Sequence, residues 1–307
     1  MKSKRTDRSY RFKIDDISAG AAVRRVALNQ INAAIAEIDS GLLSPEDMVH
    51  DVRKRCKKVR ALVGLVRPGF ADYAVENAAF RDMGRMLAGV RDHDVLIETC
   101  DLVSAHCHKE TDRAVSAAIR LQFMQDKKAL ARNENLPEKL DQVRQACDKA
   151  RNRVQDWCIQ GKDFDAFAAG FRFTLKRGRK AMAAARKEPS ADTMHEWRKQ
   201  VKYHWYHARL LRDIWPGPME AHIEAANVLG ERLGDHHDLA VLRQALQKQP
   251  GHYGDRDAIR HVMKLIAKRE RDMAKTIFRQ GALLFAERPK ALASRWSAYW
   301  TLWREEG

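Results

Sequence analysis

The chain has 307 residues, with 57 Lys and Arg against 41 Asp and Glu and a formal net charge of +16. A chain of this length buries a substantial core, and so large a positive excess gathers polyanions, which leaves nucleic acid, anionic membrane and polyphosphate as partner classes beside a merely solubilising surface. No apolar run is long enough to span a bilayer, no apolar segment follows the basic N-terminus as in a signal peptide, and five scattered Cys form no disulfide framework; a soluble protein of a reducing cytoplasm is expected.

Residues 1–15 read as a polar arm, and 21–38 as a first helix, apolar at Val23, Val26, Ala27, Ile31, Ala34, Ile35 and Ile38, with Arg24 and Arg25 able to reach a basic face. Ser44-Pro45-Glu46-Asp47 then supplies an N-cap, a proline at the first helical position and first-turn acids. The helix it opens carries His50, Arg53, Lys54, Lys57 and Lys58. At about 100° per residue the four cations fall within about 80° of His50, while Val49, Val52, Cys56, Val59 and Val63 fill the opposite face. Arg67-Pro68-Gly69 stops it. A third helix over 72–90 carries Arg81 and Arg85 one turn apart, with Asp92 on the same face if the helix continues. Residues 113–132 and 138–160 are further amphipathic helices. The later one, its cations mixed among acids, reads as a solvated face or a bridge.

The next helix, 164–186, is strongly basic at Lys176, Arg177, Arg179 and Lys180. Pro189-Ser190-Ala191-Asp192 opens a helix in which His195, Arg198, Lys199, Lys202 and Arg209 share one face and Met194, Trp197, Val201, Ala208 and Leu211 the other; Trp215-Pro216-Gly217-Pro218 is expected to stop it. A long helix over 257–285 and a core-sealing aromatic helix over 296–303 complete an all-α reading, with no sustained alternation of the kind strands require.

Two blocks recur. His50 and His195 are each followed by basic residues at three, four and seven positions on. After each comes a second block, in which residues 83–96 align without a gap on 229–242 and Gly84/Gly230, Leu87/Leu233, Asp92/Asp238, Val95/Val241 and Leu96/Leu242 match. The interval from His50 to Asp92 differs by a single residue from that between His195 and Asp238. Order and spacing together argue for duplication. Where the first copy has Arg85 and Arg91, the second has Glu231 and His237, so the second block is less cationic.

The His-x-x-Arg opening of each basic helix, the Leu87-x-x-x-Arg91-Asp92-x-Asp94-Val95-Leu96 motif, its echo at 233–242 and the terminal Tyr299-Trp300-x-x-Trp303 pattern resemble a CHAD domain, the conserved-histidine α-helical domain, over nearly the whole chain. The resemblance implies a single domain over 1–307, built of two pseudo-symmetric tandem four-helix bundles whose basic faces line a shared groove for inorganic polyphosphate. The expected division is a first half at 16–125, a bridge at 126–162 and a second half at 163–307. It also implies no catalytic activity, and an association with polyphosphate granules as one purpose.

Polyphosphate offers repeated anionic oxygens and neither bases nor sugars, so a matching protein needs a track of Arg forks and Lys point charges, with His as a donor that becomes a cation near phosphate. The assigned track is His50, Arg53, Lys54, Lys57, Lys58, His195, Arg198, Lys199 and Lys202, joined by Arg81, Arg85, Arg91, Lys176, Arg177, Arg179 and Arg209. Sulfate or phosphate ions suit the same places. Asp92, Asp94 and Asp238 are expected to orient basic side chains. The plain alternative for each run is a solvated helix face, which the duplication with its retained histidines disfavours.

Three histidine sets, His93-Asp94, His106-Cys107-His108 and His236-His237-Asp238, have ligand chemistry but no recognised ligand spacing, so neither a metal nor another cofactor is assigned. Nucleic acid is the competing partner, since phosphate contacts dominate there too, and Trp205 and Tyr206 offer stacking rings. A phosphoryl-transferring enzyme is the third reading, weakened by the lack of a P-loop and of paired carboxylates.

Overall fold

A computed structural model of the chain describes residues 9–89, 92–105, 110–131 and 135–306. Among these residues there are twelve α-helices and no strand: α1 (Ala19–Ser40), α2 (Pro45–Leu65), α3 (Tyr73–Met86), α4 (Asp92–Ser104), α5 (Glu110–Ala131), α6 (Leu136–Gln155), α7 (Asp165–Lys187), α8 (Ala191–Leu210), α9 (Pro216–Lys248), the single turn α10 (Pro250–Tyr253), α11 (Arg256–Leu284) and α12 (Pro289–Glu305). The starts follow the capping residues. Ser44 accepts from the Asp47 amide ahead of Pro45, and Ser190 forms a capping box with Thr193.

The order of helix neighbours repeats. In the first half α1 packs on α2 and α6, α2 on α3, and α4 on α5; in the second α7 packs on α8 and α12, α8 on α9, and α9 on α11. One difference matters for function. The first copy breaks between α3 and α4, where Gly89 has φ +81, whereas the second runs straight through as α9. The continuous helix expected over 72–90 therefore ends at Met86, and Asp92 begins the next helix. Likewise Pro216 does not stop α8, which ends at Leu210. It occupies the first turn of α9, where a missing N–H costs nothing.

The apolar side chains form two clusters. The larger draws on α1, α2, α3, α6, α7, α8, α12 and the first part of α9; the smaller is built from Leu96 and Cys100 of α4, Phe123 of α5, Leu239, Leu242 and Leu246 of α9, and Ile259, Val262 and Ile266 of α11. Leu87 and its aligned Leu233 belong to the larger cluster and Leu96 and its aligned Leu242 to the smaller, so both copies pass from one cluster to the other at equivalent places. The seam between α2 and α7 is very close. A Cβ on Gly170 would lie 1.9 Å from the Leu65 carbonyl oxygen, so only glycine permits this crossing.

The N-terminal segment departs from the expected polar arm. Residues 9–12 are packed, whereas 13–15 are exposed: Tyr10 and Phe12 are each 1% exposed, Phe12 stacks on Phe167, and its amide donates to the Leu210 carbonyl. Arg25 is taken up by Asp16 at 2.6 Å and Arg24 by the Trp157 carbonyl, so neither reaches the basic face.

Candidate functional site

The capped start of α2 sets its rotation, and Val49, Val52, Cys56, Val59 and Val63 are all buried as their spacing requires. On the other side His50 and Lys57 are exposed and Lys54 is half-buried. Arg53 leans toward α3 and donates to the Leu87 carbonyl at 2.9 Å, capping the end that the helix break creates. Lys58 is the exception within the row. It is 1% exposed, with its ammonium 5.5 Å from the centre of the Tyr10 ring.

The second row is held by α9. A Cβ at Gly234 would come within 3.2 Å of the Arg198 guanidinium, and one at Gly230 within 3.1 Å of the Lys202 chain. The glycines thus leave shallow beds in which the two cations lie across a continuous helix. His195 faces His237 of α9 with ring centroids 4.5 Å apart. On the α7 side Glu196 takes Arg177 at 2.8 Å and Lys199 at 2.6 Å, which fixes both cations and offsets part of their charge. The sequence reading passed over this acid within the motif.

The two rows meet at their C-terminal ends. Lys202 lies 4.4 Å from the centre of Trp205, Arg209 lies 4.9 Å from the same ring and 5.6 Å from Tyr10, and Lys58 covers Tyr10. This ladder of cations and rings joins α8 to α2 through the N-terminal segment. It also explains why Arg209, 8% exposed, and Lys58 are closed off from solvent and serve the seam. Tyr206 is buried and offers no free stacking face, while Trp205 is half-buried with Lys202 and Arg209 against its ring. A feature the sequence did not suggest lies beside α7: exposed Phe173 carries Arg67 at 4.8 Å and Arg177 at 5.8 Å.

The outlying assignments divide. Lys176 and Arg177 are exposed on α7. Arg179 instead donates to the Phe285 and Glu287 carbonyls, finishing the end of α11, a structural task in place of the expected anion contact. Arg81 pairs with its neighbour Asp82 at 2.8 Å, and exposed Arg85 lies 3.6 Å from the same carboxylate. Asp94 does hold a basic side chain, but it is Lys127 of α5, at 2.7 Å, outside the rows; Lys127 also reaches Glu46 in the first turn of α2. Asp238 is half-buried on α9. Arg91 and His106-Cys107-His108 lie outside the described residues, as does the side chain of Asp92. Among the described residues no three His, Cys, Asp or Glu are placed to hold a metal ion.

Electrostatics distinguish the histidines. Burial, followed by Arg198 and Lys199, pushes His195 below its ordinary value, while burial and His195 bring His237 down to about 4. Glu196 is held low by its Lys199 and Gln200 hydrogen bonds against the opposing effect of burial, so it stays ionised at neutral pH.

Comparison with solved structures finds the crystal structure of the CHAD domain from the plant Ricinus communis, with a TM-score of 0.60 at 17% identity over 87% of this chain and 91% of that one; at this identity the likeness is one of fold. No curated protein matches the chain. Among the described residues no helix is long and apolar enough to cross a membrane. The family model for the CHAD domain, a binding-type domain, matches residues 25–247, most of the sequence, and with the helical fold and the duplicated histidine-led rows it shows that this chain belongs to the CHAD domain family.

Proposed function

We propose that the protein binds inorganic polyphosphate along the two histidine-led rows and is not an enzyme. One observation carries the reading: α2 and α8 each carry a His and a row of Lys and Arg at helical spacing on a face that is exposed or half-buried, and a ladder of cations and rings connects the rows. Such a track suits a long chain of identical anions, since Lys follows moving oxygens and Arg grips two at once. His50, Lys54, Lys57, His195, Arg198, Lys199 and Lys202 are the contacts, with Lys176, Arg177, Arg81, Arg85 and Arg91 extending the field, and attachment to polyphosphate granules follows from such binding. Free sulfate or phosphate occupies the same places weakly. The two tandem halves act as one groove, with Asp92 and Asp238 orienting its cations.

Calorimetric titration with long-chain polyphosphate, DNA and RNA of matched charge, at low and physiological salt, tests this. Polyphosphate binding persists at physiological salt while nucleic acid falls away. Equal, steeply salt-dependent binding to all three would reduce the site to its net charge. Lys54→Glu, Lys57→Glu and Lys199→Glu combined weaken polyphosphate binding by at least about tenfold, because three attractions become repulsions. Circular dichroism stays unchanged. Arg53 is left intact because it also caps α3.

A further inference from the structure

His195 and His237 project from different helices onto each other beside Arg198. The Nδ1 atoms of His195, His236 and His237 and the Nε of Arg198 are all buried without a hydrogen-bond partner. Buried polar atoms are ordinarily satisfied, so the orphans of His195, His237 and Arg198, which lie together, need a reason. The Nε–H of Arg198 is a donor that lacks an acceptor, and each imidazole Nδ1 can become one by carrying a proton. We propose that His237 joins His195 and Arg198 in a phosphate subsite that takes up protons from solvent as the anion binds, an inference that rests on the polyphosphate reading above.

The surrounding charges favour this coupling. From α8 the imidazoles meet Arg198, Lys199, Glu196 and Asp192, and Glu196 is already engaged by Lys199 and Arg177. From α9 they meet His236, itself beside Arg243. Arg269 of α11 approaches Asp235, and Glu270 of α11 takes Arg243 at 2.7 Å. On α4, Asp94 is held by Lys127. With burial lowering both rings and Arg198 beside them adding to it, the pair stays neutral at pH 7. A phosphate oxygen replaces the missing acceptor, raises both proton affinities, and each proton gained adds a donor and a charge. No bond of the phosphate chain breaks.

The first copy carries Arg91 at the position aligned with His237. One copy therefore has a fixed cation where the other has a titratable one, so acidification adds a charge at this position in the second copy alone.

The test is calorimetry of the full chain with long-chain polyphosphate at pH 6.5, in two non-phosphate buffers of different ionisation enthalpy. Wild type takes up about one proton more than His237→Arg or His237→Gln, and between pH 8 and pH 6 its affinity rises about tenfold more than theirs. Exposed His50 contributes equally to all three proteins and cancels. Imidazole NMR of the wild type needs no variant: polyphosphate moves the His195 and His237 rings toward the protonated form at fixed pH. Equal proton uptake in wild type and variants, or rings unmoved by bound polyphosphate, would overturn the subsite while leaving the function standing. A wild type that binds no polyphosphate at any pH would overturn both.

Discussion

Acid should loosen the seam between the basic helices through one residue. His207 of α8 is buried, and its Nε2–H donates to the Ala61 carbonyl of α2 at 2.9 Å, which leaves Nδ1 buried without a partner. Protonation must occur at Nδ1, and burial brings its value down from 6.5 to about 4, against the opposing effect of the Ala61 bond. Between these values the unfolded chain holds more protons than the folded one, so stability falls as pH falls through that window. The loss from this group is about 2 kcal/mol at pH 5 and approaches about 3 kcal/mol below pH 4. In His207→Gln the amide keeps a donor for Ala61 but does not titrate. Urea unfolding followed by circular dichroism at pH 7 and pH 5 should show wild type losing about 2 kcal/mol more than the variant, whatever their difference at pH 7. His222, whose value is also lowered chiefly by burial, acts in both proteins and drops out of the comparison. An identical loss in both would refute the assignment of Nδ1 as the costly protonation site.

Gly170→Ala forces a methyl into the Leu65 carbonyl, where only backbone movement relieves the contact, and should cost about 3 kcal/mol or more in urea unfolding. Glu196→Gln frees Arg177 and Lys199 from their shared carboxylate and removes a negative charge from the row, so polyphosphate affinity should rise about twofold to fivefold, with a steeper salt dependence in calorimetry.

The helices were legible because their signals are local: Ser44 with Pro45, Ser190 with its capping box, and the valine stripe of α2 all act within a few residues. Duplication was legible for the same reason, as a matched order of motifs. The third helix was read too long because the α3–α4 break rests on a glycine at positive φ and on the passage from one apolar cluster to the other. The docking of Tyr10 and Phe12, within what reads as a polar arm, is not legible because two rings are too few to make a period, and their partners lie far along the chain on α2, α7 and α8.

By itself the sequence determined that the chain is helical, that it repeats, and which side of α2 and α8 carries the cations, since helical periodicity assigns each side chain an angle about its own axis. Only the tertiary structure decided what each cation does there. Lys54 and Lys58 both lie on the polar side of α2, yet one keeps access to solvent and the other is covered by Tyr10. Arg53 and Arg198 are matched in sequence, yet one caps a broken helix and the other lies along an unbroken one. The angle is a property of one helix, whereas burial and partnership depend on which neighbour crosses it, at what height and with how small a residue at the contact.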